Sequence, residues 1–135
     1  MEPHRDRDEA AVLAANQCFY DAFEARDLEA MAAVWEPTDQ AVCTHPGWPT
    51  LRGWDQVRSS WAALMGGPQR LQFIVTNAVV DLRGDTAWVT LEENLLEGGN
   101  SATVATVNWF TRRGDGWRMV GHHGSTVVAR IAPPR

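Results

Sequence analysis

Three residues in the C-terminal half have types that could transfer a proton together: Glu93, Asn108 and His123. A carboxylate, an amide and an imidazole taken out of water side by side can act as general base, electrophilic donor and general acid. Burial by itself raises the pKa of a carboxyl toward neutral pH, where a proton-transfer group works best. Whether the three meet depends on strand register. Two-residue turns at Gly98-Gly99 and Gly114-Asp115 would set Glu93 opposite Val104, Thr106 between Leu91 and His123, and Asn108 between Val89 and Gly121. One sheet face then carries Glu93, Thr106, Asn108, His123 and Ser125 among apolar neighbours, while Trp88, Trp109 and His122 fall on the other. An apolar surface with a few convergent polar groups is the usual lining of a small-molecule site. The same residues could also do no more than satisfy one another inside a core.

Other residues are expected to contact the same ligand: Tyr20, His45, Trp48, Trp54, Thr106 and Ser125. Tyr20 is the one tyrosine, and suits either a pocket donor or a core position. Trp48 and Trp54 flank a turn containing Pro46, Gly47 and Pro49; they could stack on a cyclic ligand or simply anchor the turn. His45, Glu93 and His123 imitate a two-histidine, one-carboxylate metal set, but no diagnostic spacing supports one and no metal is expected. Cys43 and His45, two residues apart, have no third group to orient them as a nucleophile pair. All twelve basic residues are arginine, which excludes lysine Schiff-base chemistry. With no glycine-rich phosphate loop in the chain, no nucleotide cofactor is expected.

The elements that must position these groups follow from periodicity. Residues 1–8 are charged and contain Pro3, and are expected to fray; residues 9–128 form a single domain; 129–135 form a loose tail. Val12, Asn16, Phe19, Tyr20 and Phe23 recur at three and four along one face of a first helix ending near Arg26. Asp27 caps a second, whose buried stripe is Leu28, Met31, Ala32 and Trp35, and Pro37 stops it. A short strand over 41–44 precedes the proline-rich turn. A third helix over 53–65 presents Trp54, Val57, Trp61 and Leu64. Four long strands follow, over 71–82, 86–96, 102–112 and 117–128, joined by glycine turns into a meander.

The predicted class is therefore α+β: three helices packed on a strongly curved, mostly antiparallel sheet. The strands carry apolar residues on both faces, and three helices can cover one, so the other is expected to pair in a symmetric homodimer. A net charge of −5 with no dense basic run argues against nucleic acid. Neither a signal-like leader nor an apolar run of roughly 20 residues occurs, so no membrane contact and a cytoplasmic location are expected. Cys18 and Cys43 are expected to be buried and reduced.

Several segments resemble the nuclear transport factor 2-like superfamily, and within it the SnoaL-like branch. They are Phe23-Glu24-Ala25-Arg26-Asp27-Leu28, then His45-Pro46-Gly47-Trp48 with Leu51-Arg52-Gly53, then Val89-Thr90-Leu91-Glu92-Glu93-Asn94, Val107-Asn108-Trp109-Phe110 and the closing stretch from Gly116 to Ser125. The resemblance spans about residues 9 to 127. It implies a cone-shaped half-barrel with a pocket in its mouth, often dimeric through the sheet. The series Trp117, His123, Ser125 matches the end of the last strand in such proteins. Members include isomerases, cyclases, dehydratases and epoxide hydrolases as well as non-catalytic transport and assembly domains, so fold alone does not choose between them. The resemblance and the residues together suggest a pocket for a small hydrophobic, cyclic molecule. That pocket would serve cofactor-independent acid/base chemistry or, alternatively, a non-catalytic dimeric binding module.

Overall fold

The computed structural model describes residues 3–68, 70–114 and 116–128. Helix α1 spans Pro3–Ala25, α2 Leu28–Val34 and α3 Trp54–Met65. The strands are β1 (Val42–Thr44), β2 (Leu51–Arg52), β3 (Gln72–Arg83), β4 (Thr86–Glu97), β5 (Asn100–Arg113) and β6 (Gly116–Thr126). They form one sheet in the order β2-β1-β6-β5-β4-β3, antiparallel except where β1 runs parallel to β6. The expected α+β class, three helices on a mostly antiparallel sheet, is what the chain adopts, with β2 as an additional edge strand.

Local chemistry sets most boundaries. The Asp27 side chain accepts from the Ala30 amide at 3.0 Å and starts α2. Val34 ends that helix, and Trp35 is already extended, before Pro37 is reached. Gly98 and Gly114, both at positive φ, make two-residue hairpin turns, so Glu97 pairs with Asn100 and Arg113 with Gly116. The first helix begins at Pro3, earlier than its charge suggests, because a proline fits the first helical position and Asp8 is tied down. Arg112 grips Asp8 in a fork of 2.7 and 3.1 Å and lies over the Trp117 ring, 4.5 Å from its centre. The tail 129–135 lies outside the described residues.

Register between β4 and β5 is as expected, with Glu93 opposite Val104, Leu91 opposite Thr106 and Val89 opposite Asn108. Register between β5 and β6 is not. Trp109 pairs with Gly121 and Phe110 with Met119, so Val120 is an extra residue in β6. Beyond this bulge every side chain of β6 changes face. Asn108 pairs with His122 and Thr106 with Gly124; His122 and Gly124 point inward, while His123 and Ser125 are exposed on the outer face. The bulge is accommodated outside by Gly121, where a Cβ would lie 3.1 Å from Trp109 Cε3. A second irregularity, between Thr76 and Val79 with Asn77 at φ 57°, bends β3.

The core lies between the helices and the inner face: Phe19, Met31, Trp35, Val57, Trp61, Val89, Phe110 and Met119 have no exposure. Cys43 is buried and free, but Cys18 is exposed, because it sits on the side of α1 turned away from the sheet. A Cβ at Gly124 would meet Val104 Cγ1 at 2.9 Å and Pro46 Cγ at 3.3 Å. Gly124→Ala should therefore destabilise the fold by about 1–3 kcal/mol, the usual cost of overpacking. Urea denaturation measures this; an unaltered midpoint would mean that residue 124 faces outward and that the bulge is absent.

Candidate functional site

On the inner face the polar side chains form one directed chain of hydrogen bonds. Tyr20 Oη and Glu93 Oε2 are 2.6 Å apart. Asn108 Nδ2 donates to Asn16 Oδ1 at 2.9 Å and to Tyr20 Oη at 3.2 Å. With the amide oriented by those two oxygens, its Oδ1 faces His122 Nδ1 at 2.6 Å, and the imidazole must carry its proton on Nδ1. Hydrogens thus point from His122 to Asn108, from Asn108 to Tyr20, and from Tyr20 to Glu93. A chain polarised in one direction strengthens its last member, here the donor to the carboxylate.

Helix periodicity brings α1 into this chain. Asn16 and Tyr20, four residues apart, lie on one face and reach down to β5 and β4. Alternation does the same for the sheet: Glu93 on β4 and Thr106 and Asn108 on β5 all point inward. Glu93 and Tyr20 each retain only 3% exposure and Asn108 none. Burial lifts the Glu93 carboxyl to about 7, while hydrogen bonds from Tyr20 and Thr106 oppose the rise. Burial, and the nearby Glu93, raise the Tyr20 hydroxyl, which stays protonated as a donor. Burial lowers His122 to about 3, aided by His45 and His123, and lowers His45 to about 4. Both imidazoles are accordingly neutral at physiological pH.

His45 flanks this chain. Its Nε2 lies 2.8 Å from Ser60 Oγ, whose own hydrogen goes to the Val57 carbonyl at 2.7 Å, so the imidazole donates. With that hydroxyl committed to the backbone, Ser60 is not set up as a nucleophile. Cys43 Sγ approaches the same ring at 3.6 Å, and burial pushes its thiol up to about 12, which keeps it inert. Trp61 stands edge-on between His45, at 4.7 Å, and the aromatic rings of Phe19 and Phe23.

Of the residues nominated from sequence, Glu93, Asn108, Tyr20 and Thr106 come together. His45 is adjacent, and Trp48 caps it edge-on at 5.0 Å. His123 and Ser125 do not join them: the Val120 bulge turns both outward and supplies His122 instead. That also dissolves the imitation of a metal set by His45, Glu93 and His123. Among the described residues no group of three or more His, Cys, Asp or Glu is placed to hold a metal ion. Trp54 packs against Trp35, ring centres 6.1 Å apart, and away from the site. Both N–H bonds of Asn108 are used on Asn16 and Tyr20. Asn16, His122 and Ser60 were not singled out as site residues. The available signal for Asn16 was a polar residue on an otherwise apolar helical stripe.

The cluster is closed over. Hollows of about 390, 540 and 470 Å³ open elsewhere, beside Trp109 and His123 on the outer face, between α1 and α2, and beside Trp48. No helix among the described residues is long and apolar enough to cross a membrane.

A three-helix cover on a six-stranded, mostly antiparallel sheet is the architecture of the nuclear transport factor 2-like proteins. Residues 12–129 match the SnoaL-like domain, and the chain belongs to that family. Two solved structures are similar at the level of sequence as well as fold. One, from Streptomyces avermitilis, is provisionally named a dehydratase of the NTF2-like family; it is 39% identical, covers 93% of this chain and 99% of its own, and has a TM-score of 0.86. The other, from Thiobacillus denitrificans, is provisionally named a calcium/calmodulin-dependent protein kinase type II association domain; it is 35% identical over 85% of this chain and 94% of its own, with a TM-score of 0.79. The F-box protein SKIP8 of Arabidopsis thaliana is 29% identical over 118 residues, 87% of this chain and 50% of that protein. The chain thus spans about half the length of that curated relative.

The titrations have opposite signs. Glu93 has its folded pKa raised from 4.5 to about 7, so its stabilising contribution is complete below pH 4.5 and is lost as pH rises through 7. His45 and His122 have theirs lowered, so their contribution is complete above 6.5 and is lost as pH falls toward 4 and 3. Glu93→Gln should remove the loss on the alkaline side, by roughly 3 kcal/mol at most. Thermal unfolding at pH 5 and pH 8 checks this: the variant should gain on the wild type at pH 8 relative to pH 5, and an equal difference at both would refute the assigned shift.

Proposed function

We propose that the chain binds a small, largely apolar cyclic molecule at the inner face and moves a proton on it, without a cofactor. The observation that carries this reading is Glu93, a carboxyl 3% exposed and held by hydroxyl donors rather than by a cation. A buried carboxyl titrating near neutrality is costly to keep and is well placed to take and return a proton. Glu93 is the proton-transfer group. Tyr20, whose one hydrogen goes to Glu93, orients the carboxylate and steadies it as the anion. Asn108, Asn16 and His122 hold Tyr20 in place. In a dehydration, Glu93 would take the proton next to a carbonyl and return it to the departing hydroxyl, releasing water. The provisional dehydratase name of the Streptomyces avermitilis protein favours this class over isomerisation or cyclisation.

The test is identification of a co-purifying or stabilising compound by mass spectrometry and a melting screen of cyclic hydroxy-carbonyl compounds, followed by turnover. Glu93→Gln should lower kcat by about 10²–10⁴, the usual worth of a general base. Turnover equal to the wild type would remove the assignment.

A second reading concerns assembly, and the outer sheet face favours it. Ile74 (54% exposed), Val79 (55%) and Trp109 (37%) share that face with the half-buried Trp88, Val107 and Val120. An apolar sheet face of this kind is expected to be covered, and a second copy of the chain through a two-fold axis is the simplest cover. The association-domain name of the Thiobacillus denitrificans protein points the same way. Light scattering should give a dimer for the wild type and a monomer for the Val79→Lys, Trp109→Arg variant; a monomeric wild type would end this reading.

A further inference from the structure

The buried carboxyl needs a route to solvent if a ligand is to reach it, and the exposures along one direction describe such a route. A hollow of about 370 Å³ opens where α1 ends and β3 begins, lined by Glu24, Arg70, Leu71, Gln72, Leu96 and Gly98. Phe23 of α1 and Phe73 of β3, the chain neighbours of its Glu24 and Gln72, lie against each other with ring centres 4.5 Å apart and planes tilted by 44°. Both are half-buried, as is Val75 next to Phe73, whereas Tyr20, Trp61 and Glu93 beyond them are buried. Phe73 is 5.8 Å from the Tyr20 ring and Phe23 is 4.8 Å from Trp61. On β3, Phe73 and Val75 point inward in succession, and Val75 is the cross-strand partner of Glu93. Phe73 therefore stands one inward position from the carboxyl, on the side of the hollow.

We infer that Phe23 and Phe73 form an aromatic plug which separates the Glu24–Arg70 hollow from the Tyr20–Glu93 pair and is the gate a ligand must pass. The inference rests on the proposed use of Glu93, and it adds which residues control access. A ring pair of this kind suits a gate. It excludes water by area and dispersion, and each ring can swing about two side-chain bonds without breaking a hydrogen bond. The backbone beneath it is pinned, because Glu24 Oε2 accepts from the Phe73 amide at 3.0 Å. Opening can then be a side-chain movement rather than a parting of α1 from β3. The molecules suited to such a gate are flat and apolar, able to replace the ring-on-ring contact while passing.

The test needs no ligand. Glu93 is titrated by carbon-detected NMR in the wild type, in Phe73→Ala and, as a control cavity far from the route, in Met119→Ala. Opening the plug should admit water and move the Glu93 midpoint down by about one unit, toward an ordinary glutamate. The control should leave it where the wild type has it. If Phe73→Ala does not fold, Phe73→Leu and Phe23→Leu are read in the same way, with a smaller fall in the same direction. A midpoint in the folded Phe73 and Phe23 variants indistinguishable from the wild type, or an equal fall in Met119→Ala, overturns the gate. Loss of turnover in Glu93→Gln together with an unmoved midpoint in Phe73→Ala would leave the catalytic reading standing and remove the gate alone. A moved midpoint with full turnover in Glu93→Gln would do the reverse.

Discussion

A carboxyl group inside a protein is stable as an anion only if hydrogen-bond donors replace the water it has lost. Glu93 has 3% exposure, and the rest of the inner face is arranged around that requirement. Tyr20 supplies the nearest donor, Asn108 orients Tyr20, and His122 orients Asn108. Each link spans different elements: α1 to β4, β5 to α1, β6 to β5. The polar chain therefore ties the helix layer to three strands of the sheet at the same place where it serves the carboxyl. Donors rather than a cation satisfy Glu93, which leaves its titration near neutrality instead of fixing it as an anion.

The dependence runs back to backbone geometry. The chain needs an imidazole opposite Asn108, and the regular ladder would have put Gly121 there. The extra residue at Val120 moves His122 into position, and two glycines make the move sterically tolerable. Gly121 leaves room for the Trp109 ring outside, and Gly124 leaves room for Val104 and Pro46 inside. Beside His122, β1 runs parallel to β6 and places Cys43 next to it, with His45 two residues further on. The two buried imidazoles are kept neutral by burial. They oppose folding in acid, as Glu93 does in base, so the site itself narrows the pH range in which the fold is most stable.

The two faces of the sheet differ in chemistry. The inner face carries the desolvated Glu93 carboxyl, and the outer face carries the exposed apolar side chains of Ile74, Val79 and Trp109. One similar protein is named for chemistry and another for association, and fold by itself does not decide between the two. The decision belongs to particular side chains: Glu93 with Tyr20 on one side, Val79 and Trp109 on the other.

Much of this was legible in the chain alone. Spacing of apolar residues placed the three helices, Asp27 marked a cap, and the glycine turns placed four strands and the β4–β5 register. Glu93, Thr106 and Asn108 followed as neighbours on the inward face. These are local properties, written in periods of 3.6 and 2 residues and in turn chemistry. What tertiary structure alone decided was the β5–β6 register, and with it which histidine is inside. A bulge changes parity, and the glycine that follows Val120 signals either a bulge or a close approach of a neighbouring group without choosing between them. Its energy is settled by contacts across strands, through Trp109, Val104, Pro46 and Cys43, and not by its own sequence. The partnership of Asn16 with Asn108, 92 residues apart, and the early start of α1 under the grip of Arg112 belong to the same class: both are set by packing between elements that no local pattern encodes.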